Sequence, residues 1–382
     1  MSVLTNTATG GITGSLSTRF SPCSRDCTLL IASVGVKEEA IAYTHGEGFQ
    51  VEAAALKREL RLTPIWRHIG GLEKIEQTIA QVKPDIAVLM PTWRDSAEAV
   101  ISTFRKLYET PNRPKLVFLD WYAPTSSPHF GVLPYVDRYI KRNVLADFSG
   151  YSKNYVGGYE VAEFVSKMLK FDLGDWRFGS DIPPGCEHKL WLGWNFGVGK
   201  TYRKLTKFGT ILGKSWNRRT VDVNRRLGPP SKSNAPNEWY QLYRDAALHA
   251  LDPLAAKWSC SGYERIPRRK YLFELINSKV VFSPFGWGEV CFRDYEAVAC
   301  GTLLVKPAME HIVTSPNIYV ADETYIPVKW DLSDCAERIT YYLERPDQAE
   351  RIAKNAQRFL REYYREHWFV NDVERALRGL LP

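Results

Sequence analysis

Arg293 and Glu296 carry the most specific chemistry in this sequence. They stand three apart, a spacing that puts both on one face of a helix. A guanidinium offers a fork of donors that fits phosphate oxygens. A carboxylate accepts two hydrogen bonds from a vicinal diol such as a ribose. One Arg and one Glu so placed would read a nucleoside diphosphate. They lie within Lys279–Pro307, KVVFSPFGWGEVCFRDYEAVACGTLLVKP. An apolar strand there ends at Ser283-Pro284, and a loop with Gly286 and Gly288 follows. A helix is predicted from about Val290 to Cys300, closed by Gly301 as a C-terminal cap, and a second strand follows at once. The glycines permit close approach of backbone to ligand, and the helix N-terminus favours an anion.

Other residues of catalytic type fall at strand ends, where open α/β sheets bind ligands. His45 and Glu47 follow the first strand in a Gly-containing stretch, and Asp120 and His129 follow the fourth. Each is a candidate general base. Gly197-Val198-Gly199-Lys200-Thr201 has the ending of a phosphate loop, but Trp194 stands where that motif needs its first glycine. Gly197 and Lys200 remain donor-contact candidates on the weaker ground that a Gly-rich turn follows a strand. The sequence has no Asp-x-Asp pair. Charge on a diphosphate would then be neutralised by Arg, Lys and a helix N-terminus, with no metal or other cofactor.

Two series of elements must position these groups. Strands at Leu29–Val34, Pro64–His68, Asp85–Met90, Lys115–Trp121 and Val136–Lys141 alternate with helices at Phe49–Leu60, Leu72–Val82 and Ser96–Tyr108. That alternation predicts a parallel sheet. Gly and Pro concentrate in 172–185, which reads as a linker. A second series begins with a strand at Lys189–Trp194. It continues with helices at Glu238–Leu251 and Arg268–Asn277, and ends in long helical patterns at Ser333–Tyr364 and Val370–Leu380. The expected organisation is a disordered tail over 1–27, a first domain over 28–171, the linker, a second domain over 186–365, and a helix over 366–382 that crosses back.

The stretch from Pro284 through Gly286, Gly288, Arg293, Glu296-Ala297 and Gly301 to Leu303–Val305 resembles the donor half of GT-B glycosyltransferases. The likeness is to exostosin-like and bacterial group-1-like enzymes, and runs from about Arg268 through Trp330 into the C-terminal helices. It implies an α/β fold of two Rossmann-like domains facing each other across a cleft, with C-terminal helices. The nucleotide-sugar donor would sit in the second domain and the acceptor in the first. Many retaining members have two Glu separated by seven residues. Here six separate Glu289 from Glu296, and Gly288 takes the place of the first Glu, so Glu289 is carried over on the resemblance alone. The implied activity is sugar transfer from a nucleoside-diphosphate sugar, as co-substrate, to a saccharide, lipid-linked or protein acceptor. The alternative is a non-catalytic nucleotide sensor or scaffold on a degenerate Rossmann pair.

Bulk properties agree with two globular domains. The chain has 382 residues, 45% hydrophobic and 25% charged. Seven cysteines without a CxxC pair read as free thiols of a reducing compartment. No apolar run reaches membrane-helix length, and the first residues lack a signal-peptide pattern, so the expected location is cytoplasmic. Of the net charge of +8, an excess sits in Lys200–Lys232, where ten Lys and Arg face only Asp222. That segment is a candidate contact with an anionic membrane at its inner face. Nucleic-acid binding through the same segment is the less favoured reading.

Overall fold

The protein is described by a computed structural model covering residues 23–35, 40–229 and 235–382. The predicted tail lies outside the described residues up to residue 22, as does Lys232 of the basic segment. Residues 23–27 are ordered: Cys23 and Cys27 are buried, and the Cys23 N–H donates to the Leu60 carbonyl at 3.2 Å.

The first half runs β1 (Cys27–Val34), α1 (Ala40–Val51), α2 (Ala53–Leu60), β2 (Leu62–Ile69), α3 (Ile75–Val82), β3 (Ile86–Met90), α4 (Ala97–Glu109), β4 (Lys115–Asp120), β5 (Arg138–Lys141), β6 (Asn143–Leu145), α5 (Glu160–Leu169) and β7 (Leu190–Leu192). The second runs α6 (Lys200–Leu212), β8 (Val221–Asn224), α7 (Trp239–Leu251), α8 (Arg268–Ile276), β9 (Ser278–Phe282), α9 (Phe292–Ala299), β10 (Leu303–Pro307), β11 (Ile312–Thr314), β12 (Ile326–Val328), α10 (Cys335–Leu343), α11 (Pro346–Arg365) and α12 (Trp368–Leu377). Two parallel sheets result. One has six strands in the order β2-β1-β3-β4-β5-β7, the other four in the order β12-β10-β9-β8. Central strands such as β3 (IAVLM) are buried at every position, as a parallel sheet covered on both faces requires. The two Rossmann-like units expected from the alternating pattern are therefore present.

Four local expectations change. The strand expected to open the second series is β7, and it pairs in parallel with β5 as the edge of the first sheet. The Gly/Pro-rich stretch 172–185 does not join the sheets but runs over the first half, with the Ser180 N–H donating to Ser127 and the Phe178 N–H to Gly157. His45–Gly48, read as loop, lies inside α1. Its glycines answer to packing: a β-carbon at Gly46 would fall 1.9 Å from the Trp66 ring, and one at Gly48 2.7 Å from Phe369. The long pattern at Ser333–Tyr364 is two helices, because Pro346 lacks an N–H and starts α11 afresh.

The halves are tied at several points. β6 and β11, one from each half, form an antiparallel ribbon. α12 lies against α2, with Phe369 packed edge-on against Phe49 and Trp194 at 5.3 and 5.1 Å between centroids. A continuous buried apolar cluster runs from Leu29 in the first sheet to Val305 in the second.

Candidate active site

β9 delivers the chain to Ser283, and the following loop turns tightly, the Gly286 N–H donating to the Gly288 carbonyl at 3.1 Å. A β-carbon at Gly288 would fall 2.3 Å from the Ala123 carbonyl oxygen of the first half. Glycine at 288 thus lets the loop after β9 touch the loop after β4. The N-terminus of α9 is fixed by Asp294, which accepts the Cys291 N–H at 2.9 Å. That buried carboxylate also takes the Ser283 hydroxyl, the Tyr319 hydroxyl at 2.7 Å and the Lys306 ammonium at 3.2 Å. At the other end of α9, Gly301 has φ of 66°, a left-handed conformation that suits glycine and turns the chain into β10.

Beside this loop, between the halves, is a cleft of about 710 Å³, within the range of small-molecule sites. Gly286, Gly288, Arg293 and Glu296 line it. The Arg293 guanidinium donates to the Arg226 carbonyl at 2.7 Å, beside the Tyr271 hydroxyl. Glu296 is 5% exposed and pairs with Arg268 at 3.0 Å. Burial pushes the Glu296 carboxyl above the usual range, and the Arg268 and Arg293 charges oppose the rise.

Five arginines reach the cleft wall: Arg142, Arg226, Arg244, Arg265 and Arg293. Against them stand two carboxylates, Glu264 and Glu296. Arg142 is buried, donates to Asn143 and to the Val290 carbonyl, and lies over the Phe196 ring at 5.1 Å. Arg226 is held by Glu274 at 2.8 Å. Burial pushes the Arg142 and Arg244 guanidinium pKa values down, so an anion entering the cleft relieves a desolvated positive field. Aromatic rings form much of the remaining wall, Trp287 standing against Phe178 and Tyr240 at 5.7 and 6.1 Å.

The other sequence-predicted residues are not on this wall. Glu289 is buried behind it, where it accepts from Thr125 and Asn143 of the first half, both at 3.3 Å. His45 is buried in α1 edge-on to Phe196. Asp120 is buried and accepts from the Tyr122 N–H, the Tyr139 hydroxyl and the Lys141 ammonium. His129 packs between Phe118 and Tyr122, and burial lowers its pKa. Glu47 accepts the Lys200 N–H at 2.9 Å, so a protein carboxylate occupies the N-terminus of α6. Gly197 is pressed against Tyr295, where a β-carbon would fall 2.5 Å from the ring. These stretches mimic ligand-binding turns because close packing also demands glycine, and a helix N-terminus also takes a carboxylate.

Sequence reasoning missed Arg142 and Arg244. Arg142 stands directly after β5, at the same sheet edge that suggested Asp120. Arg244 is one basic residue within α7, and nothing in its spacing sets it apart.

Two parallel sheets with an arginine-lined cleft at their junction define a two-domain Rossmann-like protein. Residues 203–374 match a family described as glycosyl transferase-like. That match falls within the C-terminal half, which contributes α9 and four of the five cleft arginines. No curated protein matches the sequence. Among solved structures, a glycosyltransferase from Rickettsia africae is similar at 14% identity over 93% of this chain and 99% of its own, with a TM-score of 0.49. HepE from Anabaena in complex with UDP is similar at 11% over 91% and 98%, TM-score 0.46. Sucrose-phosphate synthase from Thermosynechococcus elongatus is similar at 12% over 93% and 99%, TM-score 0.47.

Proposed function

We propose that the chain transfers a sugar from a nucleoside-diphosphate sugar to a saccharide, lipid-linked or protein acceptor, without a metal. The observation that carries this reading is the convergence of Arg142, Arg244 and Arg293 with Glu296 on one cleft. The arginines oppose the charge that grows on the leaving diphosphate. Glu296 takes the ribose hydroxyls, and Trp287 and Tyr240 offer apolar faces to the remaining rings. Acceptors enter from the side of Trp93, Trp121 and Tyr122, contributed by the first half. None of His45, Glu47, Asp120 or His129 is needed as a base at the cleft wall in this scheme. The proposed location is cytoplasmic, with the basic segment meeting the inner face of an anionic membrane. Among the described residues, no helix is long and apolar enough to cross a membrane.

A panel of nucleoside diphosphates in a thermal-shift assay tests the donor site. One base is expected to raise Tm, and the matching nucleotide sugar to be slowly hydrolysed. Absence of stabilisation by every member of the panel overturns the reading. Stabilisation without hydrolysis or transfer leaves a nucleotide sensor instead.

A further inference from the structure

α6 has a buried face and an outward face of unusual composition. Tyr202, Leu205, Thr206 and Gly209 are buried. A β-carbon at Gly209 would fall 2.1 Å from the Ala299 carbonyl oxygen, so the helix lies directly on the backbone of α9 and its rotation is fixed. That rotation sends Phe208, Ile211 and Leu212 outward, at 42, 70 and 43% exposure. Phe273 of α8 joins them at 55%, its ring edge-on to Phe208 with centroids 6.4 Å apart. Single exposed apolar residues need no explanation, but a contiguous set rimmed by polar groups marks an interaction surface.

The rim is basic. Lys204 and Lys207 share a helix face with Phe208 and Ile211, at spacings of three, four and seven. Arg269 and Lys270 stand four and three residues before Phe273 on α8. Lys214 and Arg218 follow the end of α6. All six are exposed. No Asp or Glu occurs from Lys200 to Val221 or from Arg268 to Phe273. Three further arginines of the basic segment are engaged within the fold. Arg219 is buried against the carbonyls of Ser278, Cys300 and Gly301, Arg225 pairs with Asp252, and Arg226 pairs with Glu274.

We infer that the face formed by Phe208, Ile211, Leu212 and Phe273, ringed by Lys204, Lys207 and Lys270, docks on an anionic lipid bilayer. The apolar side chains enter the boundary between headgroups and acyl chains, and the long cationic ones reach anionic headgroups around them. This narrows the membrane contact proposed for the basic segment to one face of two helices, and does not depend on sugar transfer. α8 begins with Arg268, the partner of Glu296, so the docked face lies about 8 Å along the helix from the cleft rim.

The full chain is sedimented with vesicles of phosphatidylcholine alone and of phosphatidylcholine with phosphatidylglycerol. Binding is expected to the anionic vesicles only, and to weaken as salt rises. Ile211→Ser with Phe273→Ser is expected to lower binding about tenfold. Lys204→Ala with Lys207→Ala and Lys270→Ala is expected to lower it about a hundredfold, at roughly fivefold for each lysine. Val156→Ser, an exposed position in the first half, should leave it unchanged. Absent binding, equal binding to neutral vesicles, or insensitivity to both sets of substitutions overturns the inference. So does a self-association of the chain that Ile211→Ser with Phe273→Ser abolishes, since a second copy then covers the face. Nucleoside-diphosphate stabilisation is read on the same samples. Absence of vesicle binding by the unaltered chain with that stabilisation intact refutes the docking face alone, and the reverse refutes the donor site alone.

Discussion

Arg293 and Glu296 share a helix face but answer to different moments of the proposed reaction. Negative charge grows beside Arg293 as the glycosidic bond breaks, whereas the ribose beside Glu296 is the same in ground and transition states. Arg293→Ala should therefore lower kcat by about 10²-fold, with a smaller loss of donor binding. Glu296→Gln should mainly raise the donor KM, and weaken free nucleoside-diphosphate binding to the same extent. Folded variants with unchanged kinetics would refute both roles. The Arg268–Glu296 pair adds a pH dependence. The groups acting on Glu296 are the cations Arg268 and Arg293 and the carboxylate of Asp294, against a dominant burial effect that raises its pKa. Only the ionised form accepts two hydrogen bonds from a diol, so nucleotide binding should fall as pH drops through that raised value, above the usual Glu range of about 4.3. Arg268→Ala removes a cation that opposes the rise, and should move this acid limb to higher pH. Arg268→Lys should largely restore it. Titration of nucleotide affinity against pH reads the shift, and an acid limb that stays in place would leave Arg268 a surface ion pair.

The elements around the cleft depend on which atoms their glycines face. A β-carbon at Gly288 meets a backbone oxygen that cannot turn aside, whereas one at Gly286 meets the end of the Arg244 side chain at 3.3 Å. Gly288→Ala should destabilise the protein by roughly 1–3 kcal/mol. Gly286→Ala should stay within about 0.5 kcal/mol, yet weaken nucleotide binding by displacing Arg244. Denaturant midpoints and thermal shifts separate the two, and equal midpoints would refute the contrast. The same distinction explains what could be read from sequence. β9, the loop, α9 and β10 are continuous in the chain, so their strand, turn and helix signals mark both the elements and Arg293 with Glu296. Gly46, Gly48, Gly197 and Gly199 carry the same signal for another cause, since ring edges and a carboxylate lie where their β-carbons would be. No local pattern distinguishes a glycine that admits a ligand from one that admits Trp66. β6 and β11 escaped notice because each is three residues long and its partner lies in the other half.

At the scale of the molecule, charge at the cleft is supplied by arginines from both halves: Arg142 from the first, and Arg226, Arg244, Arg265 and Arg293 from the second. Guanidinium groups do not dissociate on chelation, so transfer activity should survive excess EDTA. Complete loss that Mn²⁺ or Mg²⁺ restores would refute this. The alternating pattern made the two sheets legible, but not the allocation of β7, because an edge strand of one sheet and a first strand of the next look alike until their partners are known. The return of the chain has its own consequence. Ser24 donates its N–H to the Pro382 carbonyl at 2.8 Å, Glu52 pairs with His367, and Arg138 donates to the carbonyls of Ala376 and Arg378. The cover of the first half is thus translated after all of the second. On the ribosome, α2, Phe49 and Trp194 must wait uncovered while the second sheet is made. A chain arrested before Trp368 should hold that apolar seam open to chaperones and proteases, and α12 should close it on emerging.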